Sequence, residues 1–419
     1  MKYDLNYVKD NRDALIKSME KRGIEYPVDK IIDTYEKIKE LRREVDESRH
    51  KRNQISENFK NQSEEDRKLV KSLRETIDKG EKEITTLTAE AYSLFLRMPN
   101  ILEEGVPRGG SDEDNVEISR HGTVKKLDFE PKGHEDLGVP RDLFDIERAA
   151  KITGSRFFYL KGKLVRLDMA LQNYVVDKLM GKGYTPVVPP FMMKREAYEG
   201  VTSMQDFEDV LYKVSGSEDT GASDRYLIAT SEHPIAAMYM DEDIPEEKLP
   251  IKLLGISPCF RREAGAHGKD TKGIFRVHQF SKVEQFIFCK PEDSKKMHEE
   301  LLQNAKEIYD ELGLPYRIVD ICTGDIGIVA TRKFDIEGFM YSQNKYRELV
   351  SCSNCMDWQS RRLNVKYVDK NGNKTFVHTL NSTAISQRPL VAILEAYQNA
   401  DGSIRVPDVL IKYAGFKEL

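Results

Sequence analysis

Long apolar runs are missing from this sequence. No stretch of about eighteen apolar residues occurs in it, which excludes a membrane-spanning helix and a membrane partner. Met1-Lys2-Tyr3-Asp4-Leu5 has no apolar core of the signal-peptide type, so a cytosolic protein is expected. Cysteine is scarce. The five at 259, 289, 322, 352 and 355 form an odd, sparse set unlike a disulfide framework, and reduced thiols are expected. Positive charge is not in excess either: 66 Lys and Arg face 71 Asp and Glu, a net charge of −5. The chain as a whole therefore does not attract a polyanion, and any nucleic acid must be held by local patches. Charge of both signs is what abounds, 33% of 419 residues against 39% hydrophobic, as in an enzyme with a heavily solvated part. The length suggests two or three domains with ample material for a core.

That solvated part can be located. Asn6 to Arg22 reads as one helix closed by Gly23 and Pro27. After Pro27, Val28, Ile31 or Ile32, Tyr35, Ile38, Leu41 or Arg42, and Val45 recur at spacings of three and four, followed by Ile55 and Phe59. A second run, Val70, Leu73, Ile77, Gly80, Ile84, Leu87, Ala91, Leu94 and Met98, keeps the same alternation. Such a repeat holds one narrow stripe against a partner helix, the seam of a coiled coil. The polar stretch Asn58 to Asp66 separates the runs, and Ser63 with Asp66 can cap the second helix. Two helices joined by a short turn lie antiparallel. The hairpin should project about 50 Å at 1.5 Å per residue.

Residues 101–140 carry glycines, prolines and a run of acids and read as a connector, placing boundaries at 1–100 for the arm-bearing domain and 141–419 for a second domain. In the latter, Arg166 to Met180 and Leu390 to Tyr397 pattern as helices, and Tyr226–Ala229, Phe275–Phe280, Val283–Phe288 and Tyr346–Ser351 as strands. Strands outnumber βαβ crossovers, so the fold class is α+β: an antiparallel sheet flanked by helices, preceded by an antiparallel helical-hairpin arm.

Two segments can carry chemistry. Phe260-Arg261-Arg262-Glu263 leads through Ala264-Gly265-Ala266-His267-Gly268-Lys269 to Phe275-Arg276-Val277-His278-Gln279-Phe280. As a strand, a Gly-rich loop and a returning strand, this would project Arg261 and Arg276 as directed phosphate donors, with Phe280 as a face for a purine. Asn381-Ser382-Thr383-Ala384-Ile385-Ser386-Gln387-Arg388 is a polar strand that ends in an arginine opening the apolar helix Leu390 to Glu395. A guanidinium at the positive end of a helix dipole suits a triphosphate. Read from the residues alone, a hairpin with surface arginines and a core phenylalanine, and an ordinary first helical residue, stay open as alternatives.

Together these segments resemble the class II aminoacyl-tRNA synthetases: Gly183 to Met192 is similar to motif 1, with Pro190 as its proline, Phe260 to Phe280 to motif 2, and Asn381 to Leu394 to motif 3, in the family's order. Further phrases resemble the seryl-tRNA synthetase family, among them Glu147-Arg148-Ala149-Ala150, Thr230-Ser231-Glu232, Lys282-Val283-Glu284, Ser351-Cys352-Ser353-Asn354-Cys355 and Leu394-Glu395-Ala396-Tyr397-Gln398. With the arm, the likeness covers essentially the whole chain.

The resemblance implies activation of L-serine with ATP to seryl-adenylate, then transfer of the seryl group to the 3′ end of tRNA(Ser), leaving open whether selenocysteine tRNA is charged too. It implies that Arg261 meets the α-phosphate and serine carboxylate, that Glu263 meets the adenine amino group, and that Val277 meets the ring through its backbone. Phe280 and Arg388 would sandwich that ring, and Arg388 and Arg276 would reach the γ-phosphate. Arg262, Leu349 and Val350 complete the ATP set, with Glu348 and Ser351 as Mg²⁺ ligands, oxygen donors that suit a hard cation. Arg261, Glu263 and Arg388 would be the catalytic residues. Thr230, Ser231, Glu232, Arg261, Glu284 and Thr383 would hold serine. A pocket that demands a hydroxyl can reject alanine roughly 10⁴-fold, because its own polar groups are otherwise left unpaired. Motif 1 implies a homodimer.

On the arm, Arg42, Arg43, Arg49, Lys51 and Arg52 cluster in the distal half of the first helix. From residues alone this is a solvated face laced with i,i+4 pairs to Glu44, Asp46 and Glu47. The resemblance reverses that preference, since the family's arm engages the long variable arm of the tRNA, whose A-form helix is read mostly by shape. Cys352-Ser353-Asn354-Cys355 offers only two thiols with no second CxxC or HxxxH nearby, so structural cysteines and no zinc are expected. Motif 3 lacks the glycines of many bacterial members, Thr-Ser-Glu followed by His233-Pro234 is closer to archaeal or eukaryotic versions, and Gly133 stands where a proline is frequent. A carrier-protein aminoacylating relative should lack the long arm, a silent paralogue should have lost Arg261, Glu263, Glu348 or Arg388, and a coiled-coil interaction protein would not carry three ordered motifs.

Overall fold

A computed structural model describes residues 6–57, 63–215, 224–263 and 273–419. Two compact units emerge, Met1–Ile101 and Leu102–Leu419. No helix among the described residues is long and apolar enough to cross a membrane.

In the first unit the expected lead-in helix is two helices, α1 (Asn6–Asp10) and α2 (Arg12–Arg22). The break falls at Asn11, whose side-chain amide donates to Tyr7 O at 3.0 Å, the local backbone bond through which Asn competes with a helix. Gly23 ends α2 at φ 69°, and its N–H bonds back to Glu20 O and Met19 O. The two long helices follow, α3 (Val28–Glu57) and α4 (Glu64–Arg97). With 30 and 34 residues they run about 45 and 51 Å at 1.5 Å per residue. Ser63 caps α4 in a reciprocal box with Asp66, as expected. Their seam buries Ile31, Ile38 and Val45 against Ile77, Gly80 and Ala91, while the intervening positions are exposed and charged. Gly80 marks the closest approach: a Cβ there would stand 2.5 Å from Val45 Cγ2. Val8, Leu15 and Met19 from α1 and α2 pack with Phe95 and Met98 at the base. The predicted turn, Asn58 to Gln62, lies outside the described residues.

The second unit is built on an eight-stranded sheet. Its strands are β1 (Val116–His121), β2 (Thr185–Val187), β3 (Ile251–Phe260), β4 (Gln279–Cys289), β5 (Tyr316–Asp320), β6 (Arg332–Met340), β7 (Lys345–Met356) and β8 (His378–Ser386), in the order β1-β5-β6-β7-β8-β4-β3-β2. Every pairing is antiparallel except β2 on β3 at one edge. The stretch after Ile101 is not a free linker: Leu102 and Val106 are buried, and β1 pairs with β5. Three helices, α5 (Gly162–Met180), α6 (Ser294–Glu311) and α7 (Arg388–Ala396), supply the apolar residues that pack with Val283, Ile287 and Ile385 in the main core. A smaller cluster collects Phe286 and Phe288 with Tyr198, Tyr226 and Ile235. Alternation along β4 thus buries both faces of the central sheet.

Two bulges interrupt the ladders where polar side chains are needed. One lies between Val283 and Glu284 on β4, opposite Thr383, and the other between Ile336 and Glu337 on β6, where the partner strand steps from Val350 to Glu348. A bulge re-aims the side chain beside it. Thr383, beside the extra Ala384 and opposite Glu284, and Glu348, beside the extra Leu349, are those side chains.

Candidate active site

Strand β3 stops at Phe260 and β4 begins only at Gln279. The expected strand over Phe275–Phe280 is therefore mostly irregular backbone, and Arg261 and Arg276 lie beyond the strand ends rather than on them. The glycine-rich stretch, 264–272, lies outside the described residues. What holds the ends together is local. Arg261 N–H donates to His278 O, and the His278 ring bonds Arg261 O, each at 2.9 Å. Arg156 donates to Glu263 O at 2.9 Å, fixing that residue at φ 47°, a strained conformation for a non-glycine.

These ends form the wall of a cavity of 520 Å³ on the sheet, which brings together Arg261, Glu263, Arg276, Val277, Phe280, Glu348, Leu349, Ser351 and Arg388 with Thr230, Glu232, Glu284 and Thr383. At one end guanidiniums dominate. Arg276 Nε lies 2.5 Å from Glu263 Oε2, and Arg388 Nη1 lies 3.2 Å from Glu348 Oε2 and 3.0 Å from Glu348 O. Arg388 is the first residue of α7, as expected, and Arg261 lies over the Phe280 ring at 5.3 Å. Burial would favour the neutral acid at Glu348, but Arg388, Lys333 and Arg261 outweigh it and hold its carboxyl below the usual range. Although deep in the molecule, the Glu348 side chain keeps 48% of its surface open to the cavity, so water there screens the pair. Ser351 stands opposite Asp335 across β6 and β7, whose carboxyl burial pushes up.

At the other end carboxylates converge. Glu284 and Thr383 are register partners. Lys282 Nζ is 2.6 Å from Glu284 Oε2, yet that oxygen has no directed hydrogen bond. Burial pushes the Glu284 carboxyl up, opposed by Lys282 and a hydrogen bond with Thr383. Glu232 is pushed up to about 7, first by burial and then by the Glu284 charge, against Lys282, Gln359 and Arg261. Gln359 Nε2 donates to Glu232 Oε1 at 3.0 Å and is oriented by Thr379 Oγ1, 2.7 Å from its carbonyl. Two carboxylates, one ammonium and the Thr383 hydroxyl in one buried end are chemistry suited to a small cation that also carries a hydroxyl.

Three of the expected site residues do not line the cavity with their side chains. Ser231 turns away from the cavity and donates to Gly255 O at 3.3 Å. Arg262 is exposed outside it, its N–H bonding Val210 O at 2.8 Å. Val350 is buried in the main core because alternation along β7 sends it through the sheet. Conversely, Lys282, Lys333, Gln359 and Phe275 were not singled out from sequence. Lys282 was within reach: a lysine two residues from Glu284 on a strand with Phe286 shares its buried face. Phe275 lies under both Arg388 and Arg347, each at 5.0 Å from its ring. Phe280, the ring expected to face Arg388 across a ligand, carries Arg261 over its face.

All five cysteines are buried thiols, and Asn381 Nδ2 points at Cys355 Sγ at 3.6 Å. On α3, Arg43 pairs with Glu47 at 3.5 Å, Arg49 with Asp46 at 3.1 Å and with Glu81, and Arg52 with Asn53 at 3.0 Å. Arg42, Arg43, Arg49 and Lys51 are exposed.

Comparison with known proteins bears on this geometry. A family model described as the seryl-tRNA synthetase N-terminal domain matches residues 3–102, and one described as the tRNA synthetase class II core domain (G, H, P, S and T) matches residues 212–397. The chain is 49% identical to the serine–tRNA ligase of Methanoregula boonei over 99% of both chains, and 46% identical to that of Thermococcus onnurineus over 99% of this chain and 96% of the relative. Among solved structures, seryl-tRNA synthetase from Pyrococcus horikoshii complexed with ATP superposes with a TM-score of 0.90 at 43% identity, covering 99% of this chain and 98% of that one. The cytoplasmic serine–tRNA ligase of Naegleria fowleri in complex with AMP gives 0.86 at 37%, with the same coverage.

Proposed function

Since the chain belongs to the seryl-tRNA synthetase family and is a serine–tRNA ligase of class II core, we propose that its cavity binds ATP at the guanidinium end and L-serine at the carboxylate end, and makes seryl-adenylate between them. The observation that carries this is the convergence of Arg261, Phe280, Glu348 and Arg388 with the buried pair Glu232 and Glu284 in one 520 Å³ space. Arg261 stands between the two ends, suited to bridge the α-phosphate and the serine carboxylate. Glu263 offers an acceptor to the adenine amino group, and Phe280 and Phe275 offer ring faces beneath Arg261 and Arg388. Arg276 and Arg388 carry charge for the outer phosphates. Glu348, held ionised, and the Ser351 hydroxyl are oxygen donors that fit a Mg²⁺ ion arriving with ATP, which would neutralise phosphate charge.

No protein nucleophile is needed. The serine carboxylate attacks the α-phosphorus in line and pyrophosphate leaves. A ribose hydroxyl of the terminal adenosine of tRNA(Ser) then takes the seryl group and AMP departs. The chain contributes position and fixed charge. Glu232 and Glu284 balance the serine ammonium, and Glu284, whose Oε2 faces Lys282, receives its hydroxyl together with Thr383.

Residues 1–100 serve as the tRNA-binding domain, through Arg42, Arg43, Arg49, Lys51 and Arg52, with 101–140 as connector and 141–419 as catalytic domain. The protein works in the cytoplasm as a homodimer formed around Pro190. Supporting the dimer, Val188, Phe191 and Met192 beside Pro190, and Val165 and Met169 on α5, are exposed apolar side chains. Sedimentation at working concentration should give a dimer, and a monomer contradicts it. The direct test of the reaction is ATP–pyrophosphate exchange that requires serine, followed by charging of bulk tRNA. Exchange without serine dependence defeats the assignment of the pocket.

A further inference from the structure

At the far end of α7 from Arg388, Glu395 is wholly buried. Its carboxylate accepts from Ser342 N–H and Oγ, both at 2.9 Å, and lies 3.6 Å from His134 Nδ1. Three residues on, just past the end of α7, Gln398 clasps the residue two before His134. Its carbonyl accepts from Lys132 N–H at 2.9 Å and its amide donates to Lys132 O at 3.0 Å. The other side of the imidazole does something different. His134 Nε2 stands 3.1 Å from the backbone nitrogen of Ile274, a group that can only donate. Nε2 is therefore the acceptor, the proton is on Nδ1, and Nδ1 faces the Glu395 carboxylate. Beside this contact Gly273 has φ 70°, and a Cβ on it would fall 1.9 Å from Nε2.

Ile274 immediately precedes Phe275 and Arg276, the ring under Arg388 and the guanidinium bound to Glu263. From this geometry we propose that His134 is a positioning residue for the reaction: through the chain Glu395–His134–Ile274 it ties the helix that carries Arg388 to the strandless segment that carries Phe275 and Arg276. The reasons are physical. The segment has no ladder to hold it, since β4 starts five residues after Ile274, at Gln279. The amide of Ile274 is buried, and without His134 it would have no acceptor in place. The Glu395 carboxylate, 3.6 Å from Nδ1, adds a favourable field to the tautomer that the Ile274 N–H already requires. His134 touches no substrate, so its effect reaches ATP through Phe275 and Arg276 and leaves the serine end alone. The proposal rests on the guanidinium end being the ATP site.

The test compares H134Q, H134N and H134F in the full chain. A glutamine carbonyl reaches where Nε2 stands, whereas asparagine reaches only as far as Nδ1 and phenylalanine keeps the shape without an acceptor. In serine-dependent pyrophosphate exchange, H134N and H134F should raise the KM for ATP roughly tenfold, the cost of one buried amide left unpaired. The KM for serine should stay put, and H134Q should recover most of the loss. Amide hydrogen exchange reads the same tie without activity. Ile274 should be protected in the native chain and in H134Q, and should exchange faster in H134N. An ATP KM in H134N equal to the native value, or an Ile274 amide equally protected in both, overturns the proposal. Absence of serine-dependent exchange in the native chain would strike the ligase chemistry instead, and amide exchange would still decide the tie.

Discussion

Replacing Glu232 by Gln should weaken serine binding and yet strengthen the fold. Burial and the neighbouring Glu284 push the Glu232 carboxyl from 4.5 to about 7 in the folded protein. The folded state therefore holds this proton more tightly than the unfolded chain. The favourable contribution is complete below about pH 4.5 and is lost as pH rises to about 7. At 1.36 kcal/mol per pH unit the ionised carboxylate costs up to ~3 kcal/mol above pH 7, and cavity water reduces that to about 1–3 kcal/mol. Glutamine keeps the shape and still accepts from Gln359 Nε2, which now donates to Glu232 Oε1 at 3.0 Å. E232Q should thus melt a few degrees higher than native at pH 8, at about 2 °C per kcal/mol, and nearly equal to it at pH 4.5. In exchange assays its serine KM should rise about 10- to 100-fold at pH 8, the loss of a charge-assisted hydrogen bond of ~1.5–3 kcal/mol. In the native enzyme the same logic makes serine KM climb as pH falls below about 7, because the protonated acid no longer attracts an ammonium. Differential scanning across pH 4.5–8.5 and exchange kinetics check both halves. A variant less stable than native at pH 8, or a stability difference that does not change with pH, refutes the reasoning.

R261A should suppress adenylate formation by several orders of magnitude, since one guanidinium serves both ends of the cavity; single-turnover pyrophosphate release would read it, and a mild effect removes the residue from that role. Deleting residues 28–97 should leave serine-dependent exchange nearly intact while abolishing tRNA charging, and equal loss of both steps would show that the arm does not have the separate task assigned to it. T383V should cost serine over alanine discrimination, about tenfold or more in the ratio of kcat/KM values, by removing a hydroxyl partner beside Glu284. G80V should destabilise the helical hairpin by about 1–3 kcal/mol by overpacking against Val45, and circular dichroism of the arm fragment 1–101 would show no change if the helices simply part.

Much of the architecture was legible because it repeats or is punctuated. The seam from Val70 to Met98 states its own period, and Ser63 with Asp66 announces a helix start through a local hydrogen-bond pair. Arg388 at the head of an apolar helix needed only the helix to be right. Local chemistry misled where backbone bonds compete with pattern. Asn11 splits a helix whose apolar spacing is continuous, and Phe275 to His278 alternate like a strand but pair with no strand.

What sequence by itself determined is the set of local structures and the cast of side chains: two long helices with one sticky stripe, alternating strands, and arginines and carboxylates at three separate places in the chain. Which of those side chains share a space was decided only by tertiary structure. Val350 and Ser231 sit one residue from cavity groups, yet face a core and a backbone carbonyl: the pleat of β7 and the bulge beside it send Val350 through the sheet, and the turn that opens the helix at Glu232 points Ser231 at Gly255 O. Glu284 against Thr383, about a hundred residues apart, and His134 against Ile274, 140 residues apart, depend on strand register and on the path of the connector, and no nearest-neighbour rule along the chain contains that information.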